Sequence, residues 1–325
     1  MSRADGTSPR LTAELADPAR VLEPSVLGLL QTVLLPRRPP FDLAALRLAH
    51  QASQALFGGE PVGVATIDGF TIDPDPARGT PRLAVRRYQP RPGCRRAIVW
   101  LHGGGWATGT LDGYDAVARA LAVDCDSQVL VVDYRLAPES RLPAAMEDCT
   151  VALAQIARQA DRFGIDPARI VLGGDSAGGH LAIGVARRLP RVAAALVLAY
   201  PVTDARMLHP SYGRYADGFY LSAAQMAWFW EQCLPPGADL EDPDLSPLLA
   251  HDLPALPPTL VMTAECDVLH DEGLAFAGAL ANAGVPHAYL EVPGMIHGFM
   301  RFRGLLEQSR ALPARIGALL DEWRI

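Results

Sequence analysis

The stretch Gly174-Asp175-Ser176-Ala177-Gly178-Gly179 has the residue types and spacing of a turn that exposes a reactive serine. An apolar run at 170–173 leads into it, and a helix-compatible run at 180–186 follows. The form G-x-S-x-G between a strand and a helix is typical of a nucleophile elbow, in which small residues permit a tight turn. The serine then lies near a helix N-terminus, where free N–H groups favour developing negative charge. Because the motif also occurs by chance, a glycine-rich turn with an incidental Ser176 is the alternative interpretation of this stretch alone.

A second glycine-rich segment, His102-Gly103-Gly104-Gly105-Trp106, directly follows the apolar run Ala97–Leu101. Consecutive glycines allow the backbone to approach a ligand closely and to direct N–H groups at it. After a strand and upstream of an elbow, such a loop is typical of an oxyanion hole, the donor set that binds the negative oxygen of a tetrahedral intermediate. We assign the donors to the N–H groups of Gly104, Gly105 and Ala177, with Gly103 as a further candidate.

An acyl-transfer serine requires a base, and the chain has eight histidines that could serve. His297 lies in the loop after the last strand-like run, so it would reach the same edge of the sheet as the serine. His102 precedes the glycine loop and His180 lies one helical turn after the serine, where bracing and packing roles fit better. We therefore expect His297 to be the base.

The carboxylate that orients the base is expected between nucleophile and base in the chain, in the order Ser…Asp…His. Asp267 lies just past a strand-like run and meets this condition. Asp271 and Glu272 fall at the start of the following helix, where acidic residues suit the helix dipole. We expect Asp267 to be the acid, with Glu265 as the runner-up.

The segments that must position these residues alternate regularly between strand-like and helix-like patterns. The predicted strands are 97–101, 128–134, 169–173, 192–200, 259–264 and 287–292, and the predicted helices are 113–123, 143–163, 177–189, 271–283 and 305–323. This alternation predicts an α/β fold whose parallel sheet is covered by helices on both faces. Ahead of it, 62–67 and 82–88 are predicted as an antiparallel pair of strands.

The composition and net charge of the chain argue against several classes of protein. The chain has 325 residues, of which 50% are hydrophobic, and a formal net charge of −7. We treat residues 1–325 as a single α/β domain. The acidic balance and the lack of a Lys/Arg run argue against a nucleic-acid partner. The longest apolar run, 192–199, is far too short for a membrane span.

Cysteine usage and the N-terminal segment bear on compartment and cofactors. The five cysteines form no C-x-x-C pair, and no cluster of histidines and carboxylates has ligand spacing, so a metal site is not expected. Because the number of cysteines is odd, we interpret them as buried, reduced thiols. Reduced thiols predict a cytoplasmic location. Residues 1–20 also lack the apolar core of a signal peptide.

Two segments interrupt the α/β pattern. Residues 203–258 have no strand pattern and are rich in aromatic side chains. Residues 1–58 precede the first strand, and helical periodicity broken by prolines extends over 13–57. Because an insertion after the carboxyl end of a strand lies on the ligand side of such a sheet, we interpret both segments as a cap. The alternative is helical packing around an aromatic core of their own. The pocket walls are expected to include Trp106, Tyr212, Phe219 and Trp228.

Taken in order, the two glycine motifs, an Asp-x-Leu segment at Asp267 and a final His-Gly-Phe at His297 resemble the hormone-sensitive lipase family of carboxylesterases, the bacterial family IV. Tyr-Arg-Leu-Ala-Pro-Glu at 134–139 and Pro-Ala-Ala-Met-Glu-Asp at 143–148 also match that family. The resemblance extends over most of the chain. It departs at Val268, where the family has proline, but the neighbouring carboxylate is kept.

The resemblance implies an α/β-hydrolase fold with a mostly parallel, eight-stranded sheet and a helical cap. It also implies hydrolysis of small-molecule esters with short to medium acyl chains and without a cofactor, with Ser176 as nucleophile, Asp267 as acid and His297 as base. A homodimer through the edge of the last strand is suggested. Two alternatives stay open: an amidase, lactonase or acyltransferase with the same triad, and a non-catalytic ligand receptor, which would be expected to lack part of it.

Overall fold

The computed structural model describes residues 16–34 and 38–325. Its strands are β1 Thr66–Ile72, β2 Leu83–Gln89, β3 Ala97–Leu101, β4 Gln128–Asp133, β5 Ile170–Asp175, β6 Ala195–Ala199, β7 Thr259–Cys266 and β8 His287–Ile296. They form an eight-stranded sheet in the order β1-β2-β4-β3-β5-β6-β7-β8. β2 is antiparallel to both of its neighbours, and all other pairs are parallel. The predicted mostly parallel sheet is therefore confirmed.

Helices cover both faces of this sheet. The described residues contain α1 Pro18–Val21, α2 Pro24–Thr32, α3 Leu43–Phe57, α4 Asp115–Asp124, α5 Ala144–Arg158, α6 Ala177–Arg188, α7 Ser211–Arg214, α8 Ala223–Cys233, α9 His270–Asn282 and α10 Glu307–Glu322. The connection through α4 joins β3 to β4, on the β1 side of β3. The connections through α5, α6 and α9 each lead to a strand on the β8 side of the one before. Since such crossovers are right-handed, α4 lies on one face and the other three on the opposite face. The last helix, α10, packs beside α4.

The order of the strands creates a crevice at the carboxyl ends of β3 and β5. These strands are neighbours in the sheet. From β3 the chain continues to β4 on one side, and from β4 it passes over β3 to β5 on the other side. Ligands bind at such topological switch points in open α/β sheets. The glycine loop begins after β3 at His102, and the elbow serine follows β5, so both predicted motifs lie at this crevice.

The first strand differs from its prediction at both ends. β1 begins at Thr66, four residues after the predicted start at 62, and runs to Ile72. It pairs with β2 alone and exposes most of its side chains, so burial imposes little alternation on its sequence. The hydrophobic pattern at 62–67 was therefore a poor guide to where pairing begins.

The two predicted cap segments contain only helices and loops among the residues that the structure describes. α1, α2 and α3 precede the sheet, and α7 and α8 lie in the insertion between β6 and β7. The parts of the predicted cap at residues 1–15 and 35–37 lie outside the described residues. None of the described helices is long and apolar enough to cross a bilayer.

The start of α6 is packed unusually close to the end of β3. A Cβ built on Gly178 would lie 1.9 Å from the carbonyl oxygen of Leu101, and one on Gly174 would lie 2.4 Å from the carbonyl carbon of Gly178. Real Cβ atoms essentially never approach backbone this closely. Glycine at these positions therefore allows the helix after β5 to begin against the neighbouring strand.

We predict that Gly178→Ala lowers the free energy of unfolding by about 3 kcal/mol or more, because the backbone on both sides must move. Gly278→Ala is the matched control, since Gly278 is exposed on α9 and a Cβ there meets nothing within 4 Å. It should stabilise the protein by about 1 kcal/mol, because alanine is the better helix former. Urea unfolding measures both, and equal stabilities of the two variants would contradict the packing argument.

Candidate active site

Ser176 occupies a strained turn between β5 and α6. Its backbone has φ 54° and ψ −120°, a conformation that L-residues rarely adopt. The N–H of Ser176 donates to the Ala199 carbonyl at 2.9 Å, and its own carbonyl accepts from Val202 at 3.3 Å. These bonds tie the turn to the strand beside it. The side chain is directed to the crevice, with 7% of the residue exposed.

His297 and Asp267 complete a hydrogen-bonded chain with this serine. His297 Nε2 lies 2.9 Å from Ser176 Oγ, and His297 Nδ1 lies 2.6 Å from Asp267 Oδ2. Ser176 follows β5, Asp267 follows β7 and His297 follows β8, so the carboxyl ends of three strands on one side of the sheet deliver the three side chains. Because an ionised carboxylate can only accept, Nδ1–H donates to Asp267, which leaves Nε2 to accept the serine proton.

The acid is held in place by its own loop. Asp267 is only 1% exposed, and its second oxygen, Oδ1, accepts from the N–H of Leu269 at 3.0 Å. Both oxygens therefore have donors, one from the backbone and one from the imidazole. Such an arrangement fixes the carboxylate and, through it, the orientation and tautomer of His297.

The other acidic residues near Asp267 have different partners. Glu265 accepts from the N–H of Gly294 at 2.7 Å and so ties the end of β7 to β8. Asp271 contacts His270 and Ser211. Glu272 is fully buried, accepts from Thr203 at 2.7 Å, and has a pKa raised well above its usual value by burial. The structure thus brings Asp267, and not the runner-up Glu265, to the histidine.

The glycine loop presents unpaired N–H groups at the crevice. Gly104 has φ 125°, and its carbonyl accepts from the N–H of Ala107 and Thr108, which closes a tight turn. In the described part of the chain, the N–H groups of Gly104 and Gly105 have no protein acceptor. The N–H of Ala177 opens α6 and has no carbonyl one turn earlier within the helix. These three predicted donors are therefore available to an anionic oxygen.

Gly103 is not available as a fourth donor. Its N–H donates to the Tyr114 hydroxyl at 2.8 Å and to Asp175 Oδ1 at 3.1 Å. It is thus engaged with side chains behind the loop, and this part of the oxyanion-hole prediction is corrected. A Cβ on Gly103 would also lie 2.5 Å from Asp175 Oδ2, so the residue serves the close packing of the loop on the elbow.

Asp175, directly before the serine, joins the elbow to the glycine loop. Besides Gly103 it accepts from Trp100 Nε1 at 3.1 Å and from the Tyr114 hydroxyl at 2.8 Å. Complete burial raises the pKa of this carboxyl. In the motif G-x-S-x-G, Asp175 occupies the first x, a position at which any residue type is allowed. Its charge beside the nucleophile was a signal that it has a partner inside the protein.

His102 and His180 have the bracing and packing roles expected of them. His102 Nδ1 lies 3.0 Å from the Gly103 carbonyl, and the Tyr134 hydroxyl donates to the His102 carbonyl at 2.6 Å. Burial lowers the pKa of both histidines to about 4, so both are neutral near pH 7. Trp106 Nε1 donates to His180 Nδ1 at 3.3 Å.

A cavity of about 300 Å³ opens beside Ser176 and His297. Its apolar walls come from the predicted cap segments: Leu34, Leu46, Leu56, Leu221, Met226 and Phe229. The lining residues of α8 lie at 225, 226 and 229, one face of a helix. This spacing was present in the sequence and could have identified them.

None of the four residues predicted for the pocket lines this cavity. Trp106 stacks on Trp230, with ring centroids 4.3 Å apart, and Phe219 packs on Tyr215 at 5.0 Å. Tyr212 is buried, and Trp228 faces Phe41. Trp106, Tyr212 and Phe219 are buried away from the cavity, whereas Trp228 is half-buried, so the pocket prediction is corrected.

We predict that a fluorophosphonate adds once, at Ser176, with loss of fluoride to form an Oγ–P bond. The serine hydroxyl already contacts the base that must remove its proton. Intact mass spectrometry should show one adduct on the unaltered protein and none on Ser176→Ala. Ser222→Ala is the control, because Ser222 is equally exposed at 7%, and it should label normally. An adduct on Ser176→Ala would contradict the assignment.

Comparison with known proteins agrees with this geometry. Residues 98–301 match the family described as alpha/beta hydrolase fold. The chain is 41% identical over 283 residues to an ethyl acetate hydrolase of Pseudomonas putida, covering 81% of this chain and 85% of that protein. It is also 41% identical over 270 residues to the carboxylic ester hydrolase LipN of Mycobacterium tuberculosis, covering 80% of this chain and 70% of that one.

Solved structures show the same relationship. The hyperthermophilic esterase of the archaeon Pyrobaculum calidifontis superposes with a TM-score of 0.86 at 35% identity, covering 94% of this chain and 99% of that one. The ester-hydrolase EH1AB1 from the metagenome of Lake Arreo superposes with a TM-score of 0.86 at 35% identity, covering 93% and 98%. The chain therefore belongs to the α/β-hydrolase family and stands among its carboxylic ester hydrolases.

Proposed function

We propose that the protein is a serine carboxylesterase that hydrolyses esters of short to medium acyl chains through an acyl-enzyme on Ser176. The observation that carries this proposal is the unbroken chain from Ser176 Oγ to His297 and Asp267, at 2.9 and 2.6 Å. Among the described residues, the N–H groups of Gly104 and Gly105 at the same crevice have no acceptor, so they can bind the negative charge that develops on the ester carbonyl oxygen.

The first half of the reaction forms the acyl-enzyme. His297 Nε2 takes the proton of Ser176 while Oγ attacks the ester carbonyl carbon. The negative charge that develops on the carbonyl oxygen is bound by the N–H groups of Gly104, Gly105 and Ala177; one such donor typically contributes about 3 kcal/mol. Asp267 stabilises the imidazolium without taking its proton. The intermediate collapses, and His297 gives the proton to the leaving alkoxide, which departs as an alcohol.

The second half releases the acid. A water molecule takes the place of the alcohol, and His297 removes a proton from it as it attacks the acyl carbon. The same N–H groups bind the second oxyanion. Collapse of this intermediate breaks the bond to Ser176 Oγ, which regains its proton from His297. The cycle needs no redox or metal chemistry, because every proton passes through the imidazole.

The size and lining of the cavity support a preference for small acyl groups. About 300 Å³ beside the serine suits a short chain, and the cap walls are largely aliphatic. The Pseudomonas putida relative is named for ethyl acetate, a small ester. We extend this to a cap function: α3 and α8 close over the acyl chain and exclude water, which strengthens the electrostatic contacts beneath.

We also propose a homodimer and a cytoplasmic location. β8 ends the sheet and pairs on one side with β7. Its first five residues, 287–291, are exposed or half-buried, so this part of the edge could pair with the same strand of a second copy. The five cysteines are buried free thiols, which suits a reducing compartment.

The triad assignment predicts that substitutions of two nearby acidic residues, Asp267 and Glu265, lower kcat by very different factors. Asp267→Asn should lower kcat by up to about 10⁴-fold, because the amide holds the wrong imidazole tautomer. Glu265→Gln is the matched control, since its amide oxygen can still accept from Gly294, and kcat should stay within about tenfold of the parent. Steady-state kinetics on a p-nitrophenyl ester measures both. A near-normal Asp267→Asn with an inactive Glu265→Gln would move the acid to Glu265.

The cavity predicts a chain-length optimum. On p-nitrophenyl esters, kcat/KM should peak at about four to eight carbons, since each buried CH₂ contributes about 0.8 kcal/mol until the cavity is full. Met226→Ala removes a lining side chain and should move the optimum to longer chains. Leu208→Ala alters the same insertion at an exposed position, 68% accessible, and should leave the profile unchanged. A profile that still rises towards long-chain esters would contradict the proposed pocket.

A further inference from the structure

One side of the active-site cavity carries a positive charge that the ester reaction does not use. Arg301 lies four residues after His297, at the end of the single 3₁₀ turn Phe299–Arg301. Its side chain lines the cavity together with Ser176 and His297. The catalytic loop thus places a guanidinium in the same enclosed space as the nucleophile.

Packing fixes the position of this guanidinium. Nη2 donates to the His50 carbonyl at 2.9 Å and to the Ser53 hydroxyl, both on α3. The guanidinium carbon lies 5.2 Å from the centroid of the Tyr114 ring, over its face. Both N–H groups of Nη2 are therefore used, and the aromatic ring supports the plane from one side.

The remaining donors of Arg301 have no partner within the described residues. Nε is buried without a hydrogen-bond acceptor, and Nη1 donates to no protein atom there. Nor does any described carboxylate form an ion pair with Arg301. Asp175 lines the same cavity and attracts Arg301 electrostatically, but its oxygens accept from Trp100, Gly103 and Tyr114, so it provides no hydrogen-bond acceptor for Nη1.

The Arg301 side chain is half-buried, and its Nε is buried without an acceptor. Partial removal of a charge from water is costly unless an opposite charge or an acceptor compensates. The apolar cap walls lower the local dielectric and strengthen any interaction with a ligand. The missing acceptor therefore fits the substrate better than it fits another part of the fold.

We infer that Arg301 is a specificity-determining residue that binds a free carboxylate on the substrate through Nη1. The inference rests on the proposed ester hydrolysis and names the preferred esters as those that carry a second, unesterified carboxylate. That carboxylate can belong to the acyl side, as in a monoester of a dicarboxylic acid, or to the alcohol side, as in an ester of a hydroxy acid. The chemistry at Arg301 is the same for both.

Binding to the inactive Ser176→Ala protein tests this by calorimetry without depending on turnover. Methyl hydrogen glutarate is compared with methyl 5-methylhexanoate, which has an isopropyl group in place of the carboxylate. For the alcohol side, 3-butanoyloxypropanoate is compared with 3-methylbutyl butanoate. At least one carboxylate ester should bind as tightly as its neutral isostere or more tightly, and the pair in which it does so identifies the side. Both carboxylate esters binding more than about tenfold more weakly would overturn the inference.

The second part of the test measures the same affinities in a protein that carries both Ser176→Ala and Arg301→Gln. The affinity ratio of carboxylate ester to isostere should fall by about tenfold to a hundredfold, as expected for loss of a charged hydrogen bond. Arg301→Lys keeps the charge and should retain part of the ratio. Arg310→Gln, at an exposed position on α10, is the control and should not change it. An unchanged ratio in Arg301→Gln would contradict the role, and thermal melts identify a variant that fails to fold.

Turnover separates this inference from the proposed function. If the unaltered protein hydrolyses no ester of either kind, the proposed esterase function fails, whereas the binding ratios still decide the role of Arg301. If neutral esters are hydrolysed and neither carboxylate ester shows an Arg301-dependent affinity, the esterase function stands and the carboxylate site is refuted.

Discussion

The active site depends on how close α6 begins to the end of β3. The carbonyl oxygen of Leu101 would lie 1.9 Å from any Cβ at Gly178, so glycine alone permits the contact. This approach places the first N–H of α6 beside the glycine loop, although the two segments are far apart in the chain. An oxyanion needs donors from both, and a shift of about 1 Å would remove one of them from hydrogen-bonding range.

A buried polar network makes the same region rigid. Asp175 accepts from Gly103, Trp100 and Tyr114, and the ring of Tyr114 supports the guanidinium of Arg301. Through Arg301 the network reaches α3, so the elbow, the glycine loop, the histidine loop and one cap helix are connected. Such preorganisation matters because donors that are already aligned need no reorganisation when negative charge develops.

The sequence predicted the chemistry better than the pocket. Ser176, the glycine loop and the order of acid and base are encoded locally, because a tight turn, a close approach and a strand end each restrict the residue type that fits. The mostly parallel sheet followed from the alternation of patterns. In contrast, the pocket walls were predicted wrongly. Trp106 and Phe219 were expected in the pocket but are buried away from it, whereas Met226 and Phe229 line the cavity. Which side an aromatic residue faces is set by tertiary packing, as are the partners of Gly103 and Arg301.

The central claim is that backbone N–H groups and the triad act together on one tetrahedral centre at Ser176. A crystal structure of the protein after reaction with a phosphonate ester tests this directly, because the phosphonyl group resembles that centre. We expect phosphorus bonded to Ser176 Oγ and the phosphonyl oxygen about 2.7–3.1 Å from the nitrogens of Gly104, Gly105 and Ala177. A phosphonyl oxygen directed away from the glycine loop, or an adduct on another residue, would contradict it.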